Sequence, residues 1–182
     1  MGDSRYKELL IGAGERRHKL MSKNAHQDFH DLTTLDINSS LKPDVVWDLN
    51  QRPLPFEENT FDEIHAYEVL EHVGRQGDFV GFFMEFSEYW RILKPNGLFV
   101  ASVPRWDKLW AWSDPGHVRV ISNGTLTFLS QAEYNNPDKG PMTDYRNLYR
   151  ADFEVVHCKE EELIFWFGLV AIKPSRFEEG RK

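Results

Sequence analysis

The chain has 182 residues, with 22 Lys and Arg against 29 Asp and Glu, and its formal net charge of −7 offers no broad basic footprint for duplex DNA. A hydrophobic share of 41% with 14% aromatics fits a single globular domain over 1–182, and the one cysteine, Cys158, excludes an internal disulfide and a multi-cysteine metal site. No apolar run nears the roughly 18 residues of a membrane span, so a soluble, cytoplasmic protein without a membrane partner is expected.

Residues 7–11 read as a short buried strand that meets Gly12-Ala13-Gly14, and the charged segment 15–23 reads as a short helix. Residues 32–37 and 44–49 form two further strands joined by a polar turn. Pro53 and Pro55 mark a loop, and 61–69 reads as a fourth strand. The clearest helix covers 77–93, where Phe79, Phe82, Phe83, Phe86, Tyr89, Trp90 and Leu93 recur at three- and four-residue spacing; Pro95 and Gly97 stop it. A buried strand follows at 98–104. Residues 105–150 are rich in Trp, Asp, Pro and Asn, with one helix expected near 125–135. The segments ADFEVVHCKE and ELIFWFGLVAIKP close the chain as a hairpin turning near 160–162. Strands alternating with helices before a terminal hairpin predict an α/β fold with a mostly parallel open sheet, whose ligand lies beyond the carboxyl ends of the strands.

Three signals fall at those carboxyl ends. Gly12-Ala13-Gly14 is a turn that can present backbone N–H groups to a ligand. Asp36 ends the second strand 22 residues after Gly14, where a carboxylate accepts hydrogen bonds from ribose hydroxyls. Asp48-Leu49 ends the third strand, placing a carboxylate and a backbone N–H where they can read an adenine edge. Each signal alone is a common turn or cap; the order and spacing together point to a nucleoside ligand.

The blocks LLIGAG, TLDIN, DVVWDLNQRPLPFEENTFDEIHAYEVLEHV and EYWRILKPNGLFVASVP resemble class I S-adenosylmethionine (SAM)-dependent methyltransferases of the type 11 kind, from about Lys7 to Pro104. WAWSDPGHVRVIS and LTFLSQAEY are also similar to segments of small phage and prophage methyltransferases. The resemblance implies a three-layer Rossmann-like fold, with SAM as cofactor and S-adenosylhomocysteine (SAH) as product. It places Gly12 and Gly14 beside the methionine part, Asp36 with its neighbour Ile37 at the ribose, and Asp48 and Leu49 at adenine. Tyr67 and Glu68 would line the methionyl and sulfonium region, with Leu70, Glu71 and His72 flanking it.

Two departures stand out. The family often has an acid two residues before its first glycine, and here Leu10 occupies that position. Family members also often carry N-terminal helices that close the site. Their expected absence leaves an open site, one closed by a lid at 105–150, or one closed by a second subunit in a homodimer. Arg17 stands where a dinucleotide fingerprint has its third glycine, which disfavours a nicotinamide oxidoreductase.

His72 and His117 are the candidate general bases, each weighed against a packing or turn-stabilising role. Arg119 is a candidate partner for an anionic substrate or for the acidic surface. Trp106, Trp110 and Trp112 suggest a lid core, or else an aromatic wall for a planar substrate. His18, His26, His30, Asp28 and Asp31 lack firm spacing, so no metal is expected. Tyr67-Glu68-Val69-Leu70 replaces the Asn/Asp-Pro-Pro-Tyr/Phe motif of amino-methyltransferases acting on DNA bases, which disfavours that activity. The expected function is methyl transfer from SAM to a small-molecule or polar acceptor. The alternative is a non-catalytic SAM- or SAH-binding partner or regulatory subunit.

Overall fold

The computed structural model describes residues 6–22, 25–136, 138 and 140–177. Its main sheet has seven strands: β1 (Lys7–Ile11), β4 (Asp31–Asp36), β5 (Val45–Val46), β6 (Phe61–Tyr67), β7 (Leu93–Pro104), β8 (Phe153–Glu161) and β9 (Ile164–Ala171). The order across the sheet is β5-β4-β1-β6-β7-β9-β8. Pairs β4–β5, β1–β4, β1–β6 and β6–β7 are parallel, while β7–β9 and β8–β9 are antiparallel. This is the mostly parallel sheet with a C-terminal hairpin expected from the sequence. From β1 the chain builds outward to β4 on one side and later returns to β6 on the other, so the order switches between β1 and β6. Ligands of open α/β sheets bind at such a point.

Alternation along the strands sends successive side chains to opposite faces. Leu9, Ile11, Ile64, Phe99 and Leu169 share one buried cluster with Phe83, Phe86, Tyr89 and Ile92 of helix α1 (Phe79–Ile92). The helix starts where the Asp78 carboxylate accepts from Gly81 N at 2.9 Å. On the opposite face Leu10, Tyr67 and Trp166 form a smaller cluster with Leu20, Phe29, Leu32 and Val100.

That second face is where the structure departs from the sequence reading. The described residues of the segment expected as a helix, 15–22, do not form one, and Lys23 lies outside the described residues: β2 (His18–Ser22) and β3 (Ala25–Asp28) pair as an antiparallel hairpin. The segment is rich in helix-tolerant charges but has no apolar stripe that a helix could bury. It is held instead by Leu20 against Tyr67 and by the buried Lys19 ammonium, which bonds Glu8 and, at 2.8 Å, Glu63. The strand expected over 44–49 is reduced to Val45–Val46. The single helix expected near 125–135 is broken into α3 (Asn123–Leu126), a 3-10 turn at Thr127–Leu129, and α4 (Gln131–Tyr134); α2 (Trp110–Ser113) precedes them. Among the described residues no helix is long and apolar enough to cross a membrane.

Candidate functional site

Beyond the carboxyl ends of β1, β4 and β6 lies a cavity of about 390 Å³, within the range of small-ligand pockets. Gly12, Gly14, Asp36, Ile37, Asp48, Leu49, Glu68 and His72 all line it, so eight of the ten site residues chosen from sequence come together. Leu35, Trp47, Asn50, Val69 and Val73 complete the lining; sequence reading did not single them out. Asn50 was within reach, since it sits one step beyond Asp48-Leu49 in the same loop.

The glycine loop is shaped by two left-handed residues. Gly12 has φ +59°, and a Cβ there would lie 2.2 Å from Val69 Cγ2, so only glycine lets β1 approach the segment after β6. Gly14 has φ +52°, and a Cβ there would meet open space. Asp36 ties this loop to the end of β4, accepting from Gly14 N and Asn38 N at 2.8 Å each. Asp48 accepts from Asn50 N at 2.8 Å and Nδ2 at 3.0 Å, and Asn50 Oδ1 accepts from Gly74 N at 2.9 Å. The loops after β5 and β6 are thereby joined across the cavity.

Glu68 marks the end of β6 with φ +52°, a conformation uncommon for a non-glycine residue and often associated with function. Its backbone N–H donates to Ser102 O at 2.9 Å, and the Ser102 hydroxyl donates to its carboxylate at 3.0 Å. Burial raises the Glu68 carboxyl above its ordinary value against the opposing Ser102 bond. Tyr67 sits beside the main cavity and not in it. Strand alternation puts it on the β2–β3 face, where its hydroxyl bonds His65 Nδ1 at 2.7 Å and accepts from Leu20 N at 3.1 Å. It therefore does not line the main cavity. It borders a neighbouring hollow with Gly12, Gly14 and His18, and the Arg16 guanidinium lies 5.5 Å from its ring centre.

Past Glu68 a 3-10 turn, Leu70–His72, leads to a second cluster. The His72 and His117 rings are 4.9 Å apart, edge to face, so the two candidate bases are neighbours although 117 is remote in sequence. Burial, with the nearby Glu68 carboxylate, pushes the Glu71 carboxyl up to about 8. Arg119 does not pair with the acidic surface. It is buried and forms a two-pronged ion pair with Glu85 of α1, at 2.7 and 2.8 Å, while its Nε donates to Leu70 O at 2.8 Å. Trp106, Trp110 and Trp112 are each at least half exposed, so they are not a lid core. Cys158 is an exposed residue of β8, as its strand assignment predicted.

The methyltransferase-domain family profile matches residues 10–101, just over half of the chain. No curated protein matches the sequence. Solved structures share the fold at low identity. A SAM-dependent methyltransferase from Archaeoglobus fulgidus is 16% identical, with a TM-score of 0.57 over 92% of this chain and 86% of that one. The N-methyltransferase NodS from Bradyrhizobium japonicum WM9 is 17% identical, with a TM-score of 0.55 over 93% and 87%. The [4+2]-cyclase SpnF is 12% identical, with a TM-score of 0.56 over 93% and 76%, so the fold alone does not specify methyl transfer. The family match carries the assignment: this chain belongs to the methyltransferase-domain family, class I proteins whose cofactor is S-adenosylmethionine.

Proposed function

We propose that the chain is an enzyme that transfers the methyl group of SAM to a small polar acceptor. The observation that carries this is the convergence of the glycine loop, the strand-ending Asp36, the loop residue Asp48 and the strained Glu68 on one cavity. The cavity fits the cofactor: the missing Cβ of Gly14 leaves open space, and Asp36 offers a carboxylate already fixed by two backbone N–H groups. In this reading Asp36 takes the ribose hydroxyls, with Ile37 packing beside it. Asp48 and the Leu49 backbone take adenine. Gly12, Gly14 and Arg16 face the methionine end, and Glu68 takes its amino group in place of the acid missing at Leu10. When bound, SAM supplies an electrophilic methyl group on a sulfonium.

The acceptor enters beside His72 and His117, under the segment 105–150, which serves as the substrate-side cover. Transfer of this kind depends mainly on holding acceptor and methyl group in line. His72 and His117 are the groups placed to receive a proton where the acceptor must lose one. The test is incubation of purified protein and methyl-labelled SAM with fractionated small molecules from cells. Label should appear in one acceptor fraction; SAH binding with no label transferred to any fraction would overturn the catalytic reading.

A further inference from the structure

We propose that Glu71, His72 and His117 form a binding site for a divalent transition-metal cation at the acceptor end of the cofactor cavity. One carboxylate oxygen of Glu71 and one ring nitrogen from each histidine lie within 4.8 Å of one another. Ligands on one ion at bond lengths of about 2.0–2.2 Å stand roughly 3–4 Å apart, so a contraction of about an ångström closes the set.

Both rings are held as metal-binding histidines are held. His72 Nδ1 bonds Gly116 O at 3.0 Å, and His117 Nδ1 bonds Ala111 O at 3.3 Å. A carbonyl oxygen only accepts, so each Nδ1 carries a proton, and in the neutral ring Nε2 is the nitrogen left to ligate. Asp114 Oδ2 lies 3.8 Å from His117 Nε2 and adds negative charge beside the set. Glu71 is 3% exposed, and its Oε2 has no hydrogen-bond partner. A buried carboxylate oxygen left without a partner is costly and calls for a positive group. Arg119 cannot serve, because its guanidinium is committed to Glu85 and Leu70 O.

The other cluster of this type among the described residues, Glu8, Glu63 and His65, lacks this argument. There the Lys19 ammonium already bonds both carboxylates. Two imidazoles with carboxylate oxygen suit Mn²⁺, Fe²⁺, Co²⁺, Ni²⁺ or Zn²⁺ better than Mg²⁺ or Ca²⁺, which prefer all-oxygen shells.

What the ion does rests on the methyl-transfer reading. His72 also lines the cofactor cavity, so an ion on this set stands where the acceptor meets the cofactor. A hydroxyl bound to the ion through oxygen becomes more acidic and loses its proton to water, so with the ion in place His72 and His117 act as ligands and not as proton acceptors. The oxygen–carbon bond then forms as the carbon–sulfur bond breaks, with the electron pair passing to sulfur. A coordinated neutral amine would have its one lone pair on the metal and could not attack. The site therefore favours an alcohol or phenol as acceptor.

The experiment is a titration of tag-free, full-length protein with Co²⁺, followed by visible absorption and calorimetry, beside a separate SAH titration. The expected result is one saturable Co²⁺ site with ligand-field bands. Glu71→Gln and His117→Ala should each weaken it at least tenfold, while Glu63→Gln leaves it unchanged. Glu71→Gln, nearly the same shape as the native side chain, decides the matter if His117→Ala fails to fold. The proposal falls if Co²⁺ shows no saturable site, if both ligand variants bind as the native protein does, or if binding is lost in Glu63→Gln. Co²⁺ binding without SAH binding upholds the metal site and defeats the methyl-transfer reading; SAH binding without Co²⁺ binding does the reverse.

Discussion

Replacing Arg119 by Met tests how the structure holds the acceptor side of the site. Arg119 is 7% exposed, and its guanidinium makes three hydrogen bonds of 2.7–2.8 Å, two to Glu85 and one to Leu70 O. Glu85 is 1% exposed, so the variant leaves its carboxylate with the Tyr89 hydroxyl at 3.0 Å and Arg52 at 3.6 Å. Removing one partner of a buried ion pair costs about 3–5 kcal/mol, because the remaining charge is left unpaired. At about 2–4 °C per kcal/mol for a chain of this size, the melting temperature should fall by roughly 6–20 °C. Replacing both residues, as Glu85→Leu with Arg119→Met, removes both charges and should recover most of that loss. Urea denaturation of the native protein, both single variants and the double variant supplies the full cycle. A loss below about 1 kcal/mol in Arg119→Met, or a double variant no more stable than the single one, would refute the reasoning.

Three further outcomes follow from the same geometry. Gly12→Ala should cost more than about 2 kcal/mol, since left-handed strain is joined by a clash with Val69, whereas Gly14→Ala should cost only the strain, about 1–2 kcal/mol. Denaturant titration separates the two, and equal losses would contradict the account of the loop. Burial acts to raise the Glu63 carboxyl, but hydrogen bonds from His65, Lys19 and Tyr6 outweigh it and hold the group well below its usual value of 4.5. Its stabilising contribution is therefore complete above pH 4.5 and lost as pH falls below it. Melting temperature against pH should drop less steeply on the acid side in Glu63→Gln than in the native protein, and parallel curves would refute this. Phe86→Ala, at a fully buried position of α1, should cost about 3–5 kcal/mol in the same denaturation assay, and a loss under about 1 kcal/mol would mean α1 does not pack as described.

The turn carrying Gly12 and Gly14 and the strand end at Asp36 were readable because each is a local feature; Asp48 lies in the loop beyond the shortened β5 and not at a strand end. Helix α1 was readable because its aromatic residues repeat at helical spacing. The hairpin at 18–28 was not, since its anchor is Lys19 reaching Glu8 and Glu63 on other strands. The breaks within 123–134 depend on equally distant partners: Gln131 N donates to Asp152 at 2.9 Å, and its Nε2 to Ala151 O at 2.8 Å. The pairing of Arg119 with Glu85 spans 34 residues, and the meeting of His72 with His117 spans another loop entirely. The face that Tyr67 occupies was also readable, because period-two alternation in β6 sets it with His65 and away from Ala66.

The central claim is that the cavity between β1, β4 and β6 holds the cofactor through Asp36. Calorimetric titration with SAH measures this directly in the native protein and in Asp36→Ala, with thermal melts confirming that both are folded. Hydrogen bonds to a charged group contribute about 1.5–3 kcal/mol, so the variant should bind SAH at least tenfold more weakly. Saturable one-to-one binding by the native protein with that loss supports the account; no heat of binding, or unchanged affinity in Asp36→Ala, would contradict it.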